Sequence, residues 1–137
     1  MLLPSFTLAY WCVLIAALLP IVCAGVAKWG TFTKSPQQGG FDNKHPRAWL
    51  AGQTGWRARA NAAQANSFEA LPFFIGAVVI AHQLGAYQAR LDVLAALFVV
   101  LRLVYILLYL ANQASLRSVV WLLGLGLNIA ILFAGYR

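Results

Sequence analysis

Acidic side chains are scarce: Asp42, Glu69 and Asp92 are the only three in 137 residues, against ten lysines and arginines. Charge of either sign occupies 9% of positions and hydrophobic side chains 62%, whereas a soluble domain is about half apolar and about a quarter charged. A water-soluble globule is therefore excluded, and the length leaves room for one domain. Cysteine is limited to Cys12 and Cys23, about 16 Å apart along one helical stretch by helical rise. That is beyond disulfide reach, so both read as packing residues. His45 and His82 stand apart from other ligand types, and no metal-site spacing results. A Gly-rich phosphate loop, a nucleophile elbow and internal repeats are missing as well.

What is present is hydrocarbon in blocks. Stretches at roughly 5–27, 63–84, 91–111 and 117–136 are apolar and near the length of about 20 residues that crosses a bilayer. Backbone groups in lipid must bond within their own segment, so each stretch reads as a helix. The expected fold is all-α, an integral membrane four-helix bundle in a single domain spanning 1–137. The first stretch reads as a retained helix rather than a secretory signal. Its leading "MLLPSFTLAY" carries no basic residue, and the apolar run outlasts a signal core. The second helix is expected to start near residue 57, because "RARANAAQANSFEA" is rich in helix formers with no breaker before Pro72.

Orientation follows from the cations. Lys28, Lys34, Lys44, Arg47, Arg57 and Arg59 fall in or beside the long first connection, about 28–56, and Arg117 lies at the third, while the second holds only Arg90, beside Asp92. The positive-inside rule puts the first and third connections in the cytoplasm and both termini outside. The basic excess is thus a topology signal, with contact to anionic lipid heads as a second use. A nucleic-acid partner lacks support, since no basic helix face or interleaved aromatic platform accompanies the charge. Ser-Pro, Gly-Gly and His-Pro elements punctuate the first connection, which reads as irregular. Its Trp29, Trp49 and Trp56 suit the headgroup layer.

Inside the spans the polar residues are few and patterned. Glu69 and Arg102 lie nearly equidistant from a turn expected near Ala86, which puts them at matched depth on neighbouring helices. An ion pair between them is expected, because an arginine alone at mid-membrane costs about 2.5–3.5 kcal/mol on insertion scales. Arg102, Tyr105 and Tyr109 follow i, i+3, i+7 spacing on one helix face; Arg59, Asn66 and Glu69 share a face of the preceding helix, beside Gln64. Arg117 and Ser118 stand at the mouth. The pair alone could serve as a clamp fixing helix register, and the tyrosines as interfacial anchors. The whole constellation describes a cleft open to the cytoplasm. Ala58, Ala62 and Ala65 allow close helix approach, which suits an oligomer.

These residues resemble the MAPEG family, the membrane-associated proteins of eicosanoid and glutathione metabolism. Gln64, Asn66, Glu69 and Pro72 match the spacing of its second-helix signature, Arg102, Tyr105 and Tyr109 its third helix, and "RSVVW" the next motif. "PRAWLA" and "WRARAN" bring the likeness nearest to a bacterial branch. The resemblance implies a homotrimer in a bacterial inner membrane with periplasmic termini, and glutathione bound between subunits as cosubstrate. It implies that Asn66 and Glu69 hold the γ-glutamyl end, that Gln64 reaches the glycyl end in a neighbouring subunit, and that Tyr105 and Tyr109 line the tripeptide. Arg117 would stand near the sulfur as the catalytic residue, favouring thiolate for attack on a lipophilic electrophile or lipid peroxide.

Ala62 departs from the pattern, standing where the family has an arginine that grips a glutathione carboxylate. Arg59 or Arg57 could compensate, and Lys28 could act as a basic residue does in some relatives. Trp121 stands where one family enzyme has a tyrosine. The departure favours an alternative, a non-catalytic member holding another anionic or amphipathic small molecule. A four-helix multidrug exporter is a third class, but its acid must be free for proton exchange, whereas Glu69 has an arginine at its depth.

Overall fold

The computed structural model describes residues 5–137. It contains α1 (Leu8–Lys28), α2 (Pro46–Ala51), α3 (Gly55–Gln83), α4 (Gln88–Leu110) and α5 (Ala114–Leu132), and no strand among the described residues. All but α2 are long and apolar enough to cross a membrane. The architecture is all-α, four spanning helices packed as a bundle.

Helix ends explain where several charges go. Thr7 caps α1, its hydroxyl oxygen accepting the Tyr10 amide at 3.3 Å. The Ala9 amide donates to Asp92 Oδ1 at 2.9 Å. An acid on α4 thereby satisfies an orphan donor of α1 and sits at the positive end of its dipole. At the opposite ends, Arg57 Nη1 donates to the Ala27 carbonyl at 2.9 Å and Arg59 Nε to the Leu110 carbonyl at 3.0 Å. Both arginines thus close C-termini, of α1 and α4, where the exposed carbonyls carry negative partial charge.

The core is built from small residues at helical spacing. Ala9, Cys12, Ala16, Cys23 and Ala27 make up most of the buried face of α1, with Leu19 and Pro20, and Ala60, Ala63, Ser67, Ala77 and Ala81 most of that of α3, with Phe74 and Val78, which lets these two helices approach closely. Phe74 of α3 and Phe98 of α4, both buried, stack at 4.2 Å between ring centroids and fill the middle of the main core. Only Gly124, Asn128 and Ile131 of α5 are buried, so Val119, Leu122, Leu123 and Ile129 face outward. Pro20 and Pro72 sit inside α1 and α3 without ending them. Spanning helices tolerate proline because neighbours can satisfy the freed carbonyl.

The first connection is more ordered than its punctuation implies. A 3₁₀ turn occupies Pro36–Gln38, and Pro46 opens α2 at the first helical position. Proline there is pre-shaped for a helix and loses no needed donor, so His-Pro starts an element instead of breaking one. Phe41 packs edge-on against Trp49 at 5.2 Å, and Lys28 lies 4.4 Å above the Phe41 ring. Asp42 accepts from His45 Nδ1 at 3.1 Å and from the Lys44 amide at 2.9 Å. Those bonds, the His45 bond first, hold the Asp42 carboxyl below its ordinary range. Between α4 and α5, Asn112 takes φ 59°, a left-handed conformation that short polar side chains tolerate. This tight turn brings the start of α5 against the end of α4.

Candidate functional site

A cleft of about 290 Å³ opens between α3, α4 and α5, lined by Asn66, Glu69, Phe73, Arg102, Trp121 and Asn128. Its base is Arg102, only 5% exposed. Nη2 donates to Ser67 Oγ at 3.2 Å, and the guanidinium lies 4.3 Å above the Tyr105 ring. Glu69 is exposed and accepts from Asn66 Nδ2 at 3.3 Å.

The expected Glu69–Arg102 ion pair is not formed: the one contact of ion-pair geometry among the described residues is Asp42–His45, which carries charge on both partners only when the imidazole is protonated. Depth was the wrong criterion on its own. Ser67 and Glu69 are about 200° apart around the helix at 3.6 residues per turn, and the buried face carrying Ser67 is the one that meets α4. Arg102 therefore binds a neutral hydroxyl, while Glu69 shares the cleft without touching it.

From Arg102 a ladder runs to the end of the bundle. Tyr105, buried, meets Tyr109 edge-on at 5.7 Å, and Arg117 lies 4.0 Å above the Tyr109 ring. Two rings are thus flanked by two cations, and each cation–ring contact is worth roughly 0.5–2 kcal/mol according to its desolvation. Arg102, Tyr105, Tyr109 and Arg117 are thus brought together, with Asn66 and Glu69 across the cleft. Arg59 is not among them, since its Nε is turned to the Leu110 carbonyl. Gln64 also lies elsewhere, in a second depression of about 290 Å³ with Arg47, Asn61 and Phe68.

The sequence pattern of the MAPEG family matches residues 8–136. This chain belongs to the MAPEG family. No curated protein and no solved structure matches it. The MAPEG family includes glutathione-dependent transferases and also non-catalytic members. With four spanning helices, this MAPEG protein is an integral, multi-pass membrane protein.

Two residues of the MAPEG cleft escape sequence reading. Ser67 belongs to the small-residue stripe of α3 and looks like packing until Arg102 is seen to bind it. Asn128 is the lone amide in "WLLGLGLNIAILF", and a solitary polar group in a span is the available signal. Three buried amide oxygens find no partner among the described residues: Gln64 Oε1, Asn66 Oδ1 and Asn128 Oδ1. Asn66 and Asn128 line the cleft with Arg102, whereas Gln64 lines the separate depression, and buried polar atoms without partners are uncommon enough to mark both places.

Proposed function

We propose that this protein is a membrane-embedded glutathione-dependent transferase or peroxidase acting on lipophilic electrophiles. The observation that carries the reading is Arg102, a buried cation whose hydrogen-bond partner among the described residues is one serine hydroxyl. A guanidinium has five donors, so an anionic guest in the cleft would complete what Ser67 begins. The other wall suits a cation: Glu69, exposed and held by the Asn66 amide, brings a carboxylate to the same cavity. An amino acid's ammonium and carboxylate, as at the γ-glutamyl end of glutathione, fit that pairing of signs.

Glutathione supplies the nucleophile, a thiolate, when bound. Arg117, half-buried over Tyr109 where α5 begins, is the group placed to favour thiolate over thiol, because a nearby cation stabilises the charged form. Tyr105 and Tyr109 line the path between the two arginines. In this reading the glycyl carboxylate belongs to a neighbouring copy of a homotrimer. Gln64 faces a depression separate from the copy's own cleft, and Arg47 shares it, which supports both points. Arg57 and Arg59 are committed to helix carbonyls, so Arg47 is the cation best placed to stand in for the arginine missing at Ala62. By the positive-inside rule the cations at the first connection and at Arg117 support a thiol site at the cytoplasmic face with both termini on the other side, and the likeness of "PRAWLA" and "WRARAN" to a bacterial branch supports a bacterial inner membrane.

Ala62 favours a second reading, a non-catalytic member that holds a different anionic or amphipathic molecule in the same cleft. Conjugation of glutathione to a lipophilic model electrophile, assayed with wild type, Arg117→Ala and Arg47→Ala, separates the two. Transferase function predicts turnover that Arg117→Ala lowers mainly in kcat and Arg47→Ala mainly through the KM for glutathione. Binding without turnover selects the non-catalytic reading. Turnover unchanged in Arg117→Ala contradicts the role given to that arginine.

A further inference from the structure

At the end of the bundle away from Arg117, a further cavity of about 390 Å³ lies between the start of α1, the end of α3 and the start of α4, lined by Ser5, Thr7, Tyr10, His82, Gln83 and Gln88. Gln88 opens α4 and Tyr109 nearly closes it, about 30 Å apart by helical rise, which is the thickness of the hydrocarbon layer. The cavity therefore sits at headgroup depth on the membrane surface opposite the Arg117 mouth.

Its frame is held by bonds between elements. His82 Nδ1 donates to the Val78 carbonyl at 2.8 Å, so in the neutral ring Nε2 accepts from the Thr7 hydroxyl at 3.0 Å. Thr7 Oγ1 in turn accepts the Tyr10 backbone amide, and the Tyr10 ring stacks on the imidazole with centroids 4.2 Å apart. Gln88 Nε2 donates at 2.8 Å to Asp92 Oδ1, the oxygen that also holds the Ala9 amide. Three helix ends are thus tied around the cavity before a guest arrives, which spares the guest an ordering cost.

These bonds also decide what remains for a guest. The Ser5 and Tyr10 hydroxyls, the whole Gln83 side-chain amide and Gln88 Oε1 line the cavity and make no hydrogen bond to another side chain among the described residues. Ser5 and Gln83 are exposed, Tyr10 and Gln88 half-buried, so all four can be reached from the headgroup layer. No lysine, arginine, aspartate or glutamate lines the cavity among the described residues, and Asp92 behind it is engaged by Ala9 and Gln88. A phosphate, carboxylate or ammonium would enter without a counter-charge, which is costly. The available groups are uncharged and mix donors with acceptors. Neighbouring hydroxyls of a sugar have the same dual character and bring no charge.

We propose that this cavity binds an uncharged polyhydroxyl group of the sugar type, with Tyr10, Gln83, Gln88 and Ser5 as its hydrogen-bond partners and the His82–Thr7 pair as the frame that positions Tyr10. The group could arrive as the headgroup of a glycolipid or as a free sugar, and the chemistry of recognition is the same for both.

The test uses full-length protein in phosphatidylcholine nanodiscs prepared without glycoside detergent, doped equally with monoglucosyl diacylglycerol and the diacylglycerol of the same chains. Native mass spectrometry reads the ratio of the two lipids retained. Wild type is expected to favour the glucosyl lipid at least about fivefold, the low end for two net neutral hydrogen bonds. Tyr10→Phe keeps the stacked ring, and Gln83→Leu alters an exposed side chain, so the double variant should fold and bring the ratio near one. Displacement of the glucosyl lipid by excess methyl glucoside would extend the site to free sugars; retention against that excess would assign it to the lipid headgroup. A structural role alone would change the retention of both lipids together, so a ratio unaltered in the double variant overturns the proposal. A wild-type ratio of one overturns it even if the double variant fails to fold, and so does preferential retention of phosphatidic acid when that lipid replaces the diacylglycerol. The cavity lies across the membrane from the thiol cleft, so failure here leaves the transferase reading standing, and absence of glutathione binding leaves this preference standing.

Discussion

Replacing Arg59 by Met tests whether this arginine holds the fold or the ligand. The substitution keeps most of the aliphatic length and removes the N–H that binds the Leu110 carbonyl at 3.0 Å. A hydrogen bond from a charged donor is worth about 1.5–3 kcal/mol, and the favourable placement of a cation at a helix C-terminus about 0.3–1 kcal/mol more. Side-chain entropy regained by the methionine, together with solvent that can reach the freed carbonyl, offsets part of this. A net loss of about 1–2 kcal/mol results, equivalent to a fall of roughly 3–8 °C in melting temperature for a chain of this size. Scanning fluorimetry in detergent reads it. Arg57→Met should lower the melting temperature comparably through the Ala27 carbonyl, and the two effects should add, since the arginines share no partner. Glutathione affinity should change less than twofold in Arg59→Met. Unaltered melting with a tenfold weaker affinity would refute the capping role and return Arg59 to the binding site.

Two further predictions concern the ladder and the core. A double-mutant cycle on Tyr109→Leu and Arg117→Met should give a coupling of about 0.5–1 kcal/mol, as expected of a partly exposed cation–π contact; additive effects would mean that the 4.0 Å approach contributes nothing. Phe98→Ala should cost about 3–5 kcal/mol by opening a cavity against Phe74, measured by unfolding, with a loss under about 1 kcal/mol contradicting the stacked core.

Much of the architecture was legible because lipid simplifies the problem. Blocks of hydrocarbon mark the spans, and the resemblance carried by Gln64, Asn66, Glu69, Arg102, Tyr105 and Tyr109 agrees with the family match. Azimuth around each helix was not legible. Helical rise placed Glu69 and Arg102 at one depth, but a two-residue difference on α3 decides that Ser67 is the partner. The same limit concealed Arg59, whose periodicity allowed the cleft face while its length carried it to Leu110. Asn128 was missed: it is one amide in an apolar run, and the lack of a partner for its Oδ1 is something spacing cannot reveal. Within the first connection, Pro46 read as a breaker because the difference between ending and opening a helix depends on whether the residues after the proline can continue one.

Under the proposed function, glutathione binds in the cleft whose base is Arg102. Isothermal titration of glutathione into purified wild-type protein and into Arg102→Leu measures this directly. Saturable binding at or below millimolar concentration is expected in wild type, with at least tenfold weakening in Arg102→Leu. Absence of binding at millimolar glutathione in wild type, or equal affinity in Arg102→Leu, would contradict it.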